Sequence, residues 1–173
     1  YTNLKSGYIT QGGSTISQQY VKNMYLDFDQ TWERKIQEAF LTLKLETHYN
    51  KDDILEGYIN TINFGQGCYG ISEASKYYFG KSVTELSLPE AAIIAGLFQS
   101  PNGDNPYKYP EKTKQRMETV LKLMVRHGYI THEEAMIAKS IDISSLLVGT
   151  NNENNYQGYI DTVVAEVKKK TGA

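Results

Sequence analysis

The sequence predicts a mainly α-helical fold. Strand-type alternation is sparse along the chain, while apolar residues recur often at helical spacing. The capping-box pattern Ser/Thr-x-x-Glu occurs from Ser87 to Glu90 and again from Thr131 to Glu134. A length of 173 residues suits one compact domain around one core.

Taken in order, the first element is Gly12-Gly-Ser-Thr-Ile-Ser-Gln18-Gln19-Tyr-Val-Lys22. With Ser14 or Ser17 as the cap, Gln18, Gln19, Lys22 and Asn23 fall at i, i+3 and i+4 spacings and share one helix face. Trp32 to Leu45 reads as a second helix. Ile36, Ala39, Phe40, Leu41, Leu43 and Leu45 cover most of its circumference, which predicts a buried helix. A third, from about Asp52 to Ile59, gives way to a loop in which Gly65, Gly67 and Gly70 permit tight backbone geometry. A fourth covers Ser72 to Tyr78 before Gly80. Ser87-Leu-Pro89-Glu90 opens an apolar helix to Phe98, and Ser100-Pro-Asn-Gly103 ends it as a turn. Pro110 starts a long helix closed by Gly128, and the box at Thr131 starts a short one after it. Asn151 to Asn155 reads as a linker.

Composition excludes several classes of function. The net charge of −2 gives no footing for a nucleic-acid partner. No apolar run approaches the roughly 18 to 20 residues of a membrane span, and no signal peptide is visible. Cys68, the only cysteine, cannot form an intrachain disulfide, and without a Cys/His cluster no structural zinc site is expected. His48 and His127 stand at helix C-terminal ends, where a cation suits the dipole. His132 falls inside a capping box. None of the three has a Ser or Cys partner at a spacing that would support a hydrolase triad.

The chemistry concentrates in two blocks. The face of Gln18, Gln19, Lys22 and Asn23 offers amide donors and a cation beside a helix N-terminus, an array suited to an anionic, oxygen-rich ligand such as a sugar diphosphate. In the second helix, Arg34 and Lys35 stand at i−4 and i−3 from Glu38, where a buried carboxylate needs a cation. Taken alone, the first block fits a solvated helix face better than a ligand site, and an isolated Arg-x-x-x-Glu is by default a structural salt bridge. Glu56 reads equally well as a structural residue bonding a loop backbone. Tyr77, Tyr78, Tyr107 and Tyr109 fit packing better than sugar stacking.

Together the blocks resemble the peptidoglycan glycosyltransferase domain of class A penicillin-binding proteins, glycosyltransferase family 51. The family pattern Gly-Gly-Ser-Thr-Ile-(Thr)-Gln-Gln-x-x-Lys-Asn is matched from Gly12 to Asn23, and Arg-Lys-x-x-Glu from Arg34 to Glu38. A third block is matched by Ile54-Leu-Glu56-Gly-Tyr-Ile-Asn60 and continues through Gly65-Gln-Gly67-Cys-Tyr-Gly70 to Tyr78-Phe79-Gly80-Lys81. A fourth runs from Leu86-Ser-Leu-Pro89-Glu90 through Ser100-Pro101 and Asn105-Pro106-Tyr107 to Arg116.

The resemblance implies an enzyme that polymerises lipid II into β-1,4-linked glycan with inversion, releasing a polyprenyl diphosphate. The growing lipid-linked glycan is the donor, and the 4-hydroxyl of lipid II attacks its anomeric carbon. It implies catalytic roles for Glu38, Lys22 and Lys35, with Glu38 assisting the leaving group. Ser14, Thr15, Gln18, Gln19, Lys22, Asn23, Arg34 and Arg116 are the implied substrate-binding residues. The departing diphosphate needs cations of the chain or a divalent metal, magnesium or manganese. The family's general base is a glutamate in a Glu-Asp-x-x-Phe-x-x-His-x-Gly motif ahead of the first block, and that motif is absent. The chain begins at Tyr1, without methionine and eleven residues before Gly12, and reads as a fragment whose activity requires the missing acid. Gln30 stands where many members carry arginine or lysine, and Arg116 and Lys108 are candidate replacements.

The implied fold is a lysozyme-like helical globular lobe with part of a smaller, membrane-proximal lobe, in which Met24, Tyr25, Leu26 and Phe28 would face lipid. Residues 1–150 form the glycosyltransferase domain. Residues 151–173 form a linker toward a transpeptidase domain of the same polypeptide. The partners are then lipid II, the growing glycan, the membrane surface and that domain, with no nucleic acid, at the outer face of the bacterial cytoplasmic membrane. Two other readings remain. One is an inert module that binds lipid diphosphates and moenomycin, the family's inhibitor. The other is a lysozyme-like hydrolase using Glu38 and Glu56, which would need its carboxylates about 5 to 9.5 Å apart.

Overall fold

In the computed structural model, the structure describes residues 14–25, 32–100 and 103–148. Eight α-helices follow one another among these residues. They are α1 Ile16–Tyr25, α2 Trp32–His48, α3 Lys51–Ile59, α4 Ile71–Phe79, α5 Leu88–Leu97, α6 Pro110–Arg126, α7 His132–Ser140 and α8 Ile143–Leu146. No strand is present among the described residues; a single antiparallel bridge joins Asn63 to Tyr69. The mainly α expectation is borne out. Asn151 to Asn155, Leu26, Phe28 and Gln30 lie outside the described residues.

The core is built around α5, which is apolar on nearly every side because it is enclosed. Ala92, Ile93, Ile94 and Leu97 are all buried, and α5 packs chiefly on α6 through Met117 and Leu121. Ala135 and Ala138 of α7 and Ile143 of α8 close the far side. The expected box starts α5: Glu90 Oε2 accepts from the Ser87 amide and hydroxyl, both at 2.7 Å. The other oxygen of this buried carboxylate meets Lys81 Nζ at 2.7 Å. Thr131 and Glu134 make the second expected box. A third, Ser82 with Glu85, opens a short 3-10 turn at Val83–Glu85 that the sequence reading did not anticipate.

The expected glycine loop has φ of 89° at Gly65, 76° at Gly67 and 82° at Gly70. Gly70 matters most: a Cβ there would run into the Asn60 carbonyl oxygen, and its own amide donates to Ile62 O at 2.9 Å. The tyrosines pack as expected. Tyr78 is buried and donates to Phe64 O at 3.0 Å, while Tyr107 donates to Val148 O at 2.9 Å, tying the last described residue to the core. Tyr109 is exposed at the start of α6.

Two expectations are corrected. The cap of α1 is neither Ser14 nor Ser17 but Thr15, whose hydroxyl accepts from the Gln18 amide at 3.2 Å while Gln18 Oε1 accepts from the Thr15 amide at 2.9 Å. Nor is α2 a buried helix. Its Trp32, Ile36, Phe40 and Leu43 are exposed, and the residues it buries are Glu38 and Thr42. The helix is covered along one narrow side, where α1 brings Ser17 and Val21; apolarity around the circumference therefore overstated its burial.

Candidate active site

The first site element is the N-terminal turn of α1. Thr15 and Gln18 spend a hydroxyl and an amide oxygen on the cap. Gln19 uses both ends of its amide within the protein: Nε2 donates to Ser14 O at 3.3 Å, and Oε1 accepts from the Tyr58 hydroxyl of α3 at 2.9 Å. Lys22 is half-buried and Asn23 exposed, and neither has a hydrogen-bond or ion-pair partner among the described residues. The face read from the sequence thus divides into residues that hold the turn and residues open to a ligand.

The second element is the middle of α2. Glu38 is 1% exposed, with Oε1 accepting from Lys35 Nζ at 2.6 Å and Oε2 facing Arg34 Nη1 at 3.7 Å. The i−3 and i−4 spacing makes this geometry available on one helix turn, and the desolvated carboxylate requires it. Two cations around one anion leave a net charge of about +1. Lys35 keeps 47% of its side chain exposed, so the ammonium that Glu38 holds on one side is open to solvent on the other.

Helix α1 reaches α2 through a contact that sequence reasoning missed. Ser17, buried inside α1, donates to Glu46 Oε1 at 2.6 Å, and Lys51 Nζ meets the same oxygen at 2.7 Å. Hydrogen bonds from Lys51 and Ser17 hold the Glu46 carboxyl below its ordinary value. Nothing in helical periodicity links residues 17 and 46. Between the helices lies a cavity of about 360 Å³ lined by Val21, Leu41, Lys44 and His48, adjoining one of about 260 Å³ lined by Tyr20, Asp53 and Ile54; Tyr25, Leu45 and Tyr49 line both.

Other sequence candidates stand apart. Arg116 packs over Gly96 and lines a polar depression of about 300 Å³ with Gln99, Ser100, Asp104 and Lys112, to which neither α1 nor α2 contributes. Glu56 is exposed on α3 and its carboxylate has no hydrogen bond among the described residues, so the loop-backbone bond considered for it is not made there. Among these residues no three Asp, Glu, His or Cys side chains converge to hold a metal ion. With Glu38 already facing two cations, the donor set does not fit a divalent ion. Burial, with the field of Glu73, pushes the Cys68 thiol up to about 11, leaving it unreactive at neutral pH.

The sequence motifs have counterparts in known proteins. The transglycosylase family matches residues 1–125. Penicillin-binding protein 2D of Bacillus subtilis (strain 168) is 42% identical over 171 residues, 98% of this chain and 25% of that protein. Penicillin-binding protein 1A of Aquifex aeolicus (strain VF5) is 44% identical over 171 residues, 98% of this chain and 23% of that protein. A crystal structure of penicillin-binding protein 1A from Haemophilus influenzae aligns at 29% identity and a TM-score of 0.47, covering 72% of this chain and 15% of that one. The chain spans about a quarter of the length of the curated relatives it matches.

Proposed function

The chain belongs to the transglycosylase family of class A penicillin-binding proteins, and from that membership we propose that it supplies the donor site at which a lipid-linked glycan diphosphate is held while lipid II is added to it. The observation that carries this reading is the buried Glu38 held between Lys35 and Arg34, on the helix that packs against the capped start of α1.

The reaction forms a bond from the acceptor 4-hydroxyl oxygen to the donor anomeric carbon, passes the hydroxyl proton to a general base, and breaks the bond from that carbon to the diphosphate. Negative charge then develops on the departing oxygens, and fixed cations stabilise it most when they need no reorganisation. Glu38 supplies that fixity by holding the Lys35 ammonium, whose exposed side meets the phosphate oxygens. Lys22 adds a second cation, and Asn23 with the free amide nitrogen of Gln18 adds neutral donors. The dipole of α1 contributes partial positive charge at its N-terminal end. Ser14, Thr15 and Gln19 shape that turn. Chain cations, rather than a metal, carry the charge compensation in this scheme.

The membrane part of the reading draws on exposed apolar side chains. No helix among the described residues is long and apolar enough to cross a bilayer. Met24 and Tyr25 at the end of α1 and Trp32 at the start of α2 are exposed on either side of residues 26–31, a surface suited to rest on the outer face of the cytoplasmic membrane beside the lipid-anchored substrate. The 173-residue chain should bind labelled moenomycin saturably, and Lys22→Ala should weaken binding at least about tenfold, the cost of one charge-assisted hydrogen bond. A folded chain that binds none would overturn the reading. Cleavage of purified glycan strands would instead favour the hydrolase, whose second carboxylate would be Glu56, exposed on α3.

A further inference from the structure

We propose that Glu46 is a positioning residue for the donor site: by accepting from Ser17 of α1 and pairing with Lys51 at the start of α3, its carboxylate fixes how α1 sits on α2 and α3. This rests on the reading that α1 binds the donor diphosphate.

One oxygen, Glu46 Oε1, takes the Ser17 hydroxyl at 2.6 Å and the Lys51 ammonium at 2.7 Å, so three helices meet at one atom. Ser17 is only 4% exposed, and its hydroxyl reaches out of α1 to a neighbouring helix. A second strut, from the Tyr58 hydroxyl to Gln19, lies two residues on, about 200° around the α1 axis. The two struts hold the helix from different sides, fixing its rotation as well as its position. Rotation matters because a slip of one residue turns a helix by about 100°, enough to carry Lys22 off its face. Lys22 stands about 7.5 Å along α1 from Ser17, and Glu38 about 12 Å along α2 from Glu46, so the relative placement of the two site elements is set at this joint.

Apolar packing shares this work: Val21 is buried, and Tyr20, packed against the core, lies over Gly57 of α3. Beside these contacts the helices leave open cavities lined by Tyr25, Leu45 and Tyr49. The polar joint adds the directional contact that apolar side chains do not give.

The test is moenomycin binding by the full 173-residue chain. Ser17→Ala and Glu46→Ala should each weaken binding about five- to tenfold, with the double variant no worse than the weaker single, as expected for partners in one contact. Ser17→Thr, which keeps the hydroxyl, should bind like the parent; a side chain that merely filled space would not require it. Lys51→Met, at a position 74% exposed, should weaken binding about twofold to threefold through the same oxygen with the far-ultraviolet circular dichroism unchanged. Parent-like binding by Ser17→Ala, Glu46→Ala and Lys51→Met, with Lys22→Ala still weakened, would overturn the positioning role and leave the donor site standing. Binding indifferent to Lys22→Ala would instead overturn the donor-site reading, and this inference with it.

Discussion

Replacing Lys35 with methionine tests whether Glu38 is the buried, cation-held acid on which the site depends. Glu38 is 1% exposed, Oε1 lies 2.6 Å from Lys35 Nζ, and Oε2 lies 3.7 Å from Arg34 without a hydrogen bond. Breaking a fully buried ion pair by removing one partner costs about 3–5 kcal/mol. Here Lys35 is nearly half exposed and Arg34 remains, so roughly half of that, about 1.5–2.5 kcal/mol, is expected for Lys35→Met. Glu38→Gln keeps the shape and an acceptor oxygen while removing the charge, and should cost under about 1 kcal/mol. The double variant should recover about 1–2 kcal/mol relative to the sum of the singles, because the buried charge that needed Lys35 is gone. Urea unfolding followed by far-ultraviolet circular dichroism, with an unchanged m-value, reads all three. A loss below about 0.5 kcal/mol for Lys35→Met, with no coupling, would refute the reasoning.

Three further outcomes follow from named contacts. Gly70→Ala should lower stability by more than about 3 kcal/mol in thermal unfolding, since left-handed backbone strain adds to a Cβ placed against the Asn60 carbonyl. Burial alone would raise the Glu90 carboxyl, but bonds from Lys81 and Ser87 outweigh it and hold the group below 4.5. The stabilisation from this depressed carboxyl is therefore full above pH 4.5 and lost as pH falls through the folded value, so urea titrations should show a decline on the acid side that Glu90→Gln flattens. Trp32, the only tryptophan and 83% exposed, should shift its fluorescence to the blue when anionic phosphatidylglycerol vesicles are added; an unchanged spectrum with vesicles in excess would remove the membrane-facing surface from the proposal.

Local chemistry made most of the elements legible before the structure. Ser87 with Glu90 and Thr131 with Glu134 each start the helix their spacing predicts, Gly80 ends α4 in a left-handed cap, and Gly128 closes α6. The ion pairing of Glu38 was legible too, because both cations lie within one helical turn of it. What a local pattern could not give was the inward face of α2. Its apolar stripe of Ile36, Phe40 and Leu43 is exposed while a carboxylate and a threonine are buried, since the neighbours of a helix, and not its own composition, decide which side is covered. The same limit hid the joint of Ser17 with Glu46, whose partners lie 29 residues apart on different helices. It also hid the use of Gln19 as a strut: the motif marks the residue, but only Tyr58 on α3 shows where its amide is spent.

The central claim is that this chain carries a site for a lipid-linked sugar diphosphate centred on Lys22 and the cluster of Lys35, Arg34 and Glu38. The most direct measurement is equilibrium binding of fluorescently labelled lipid II to the 173-residue chain in detergent micelles, with moenomycin as competitor. Saturable binding is predicted, displaced by moenomycin and weakened at least about tenfold by Lys22→Ala and by Lys35→Met. Partition into micelles that neither moenomycin nor either substitution alters would contradict it.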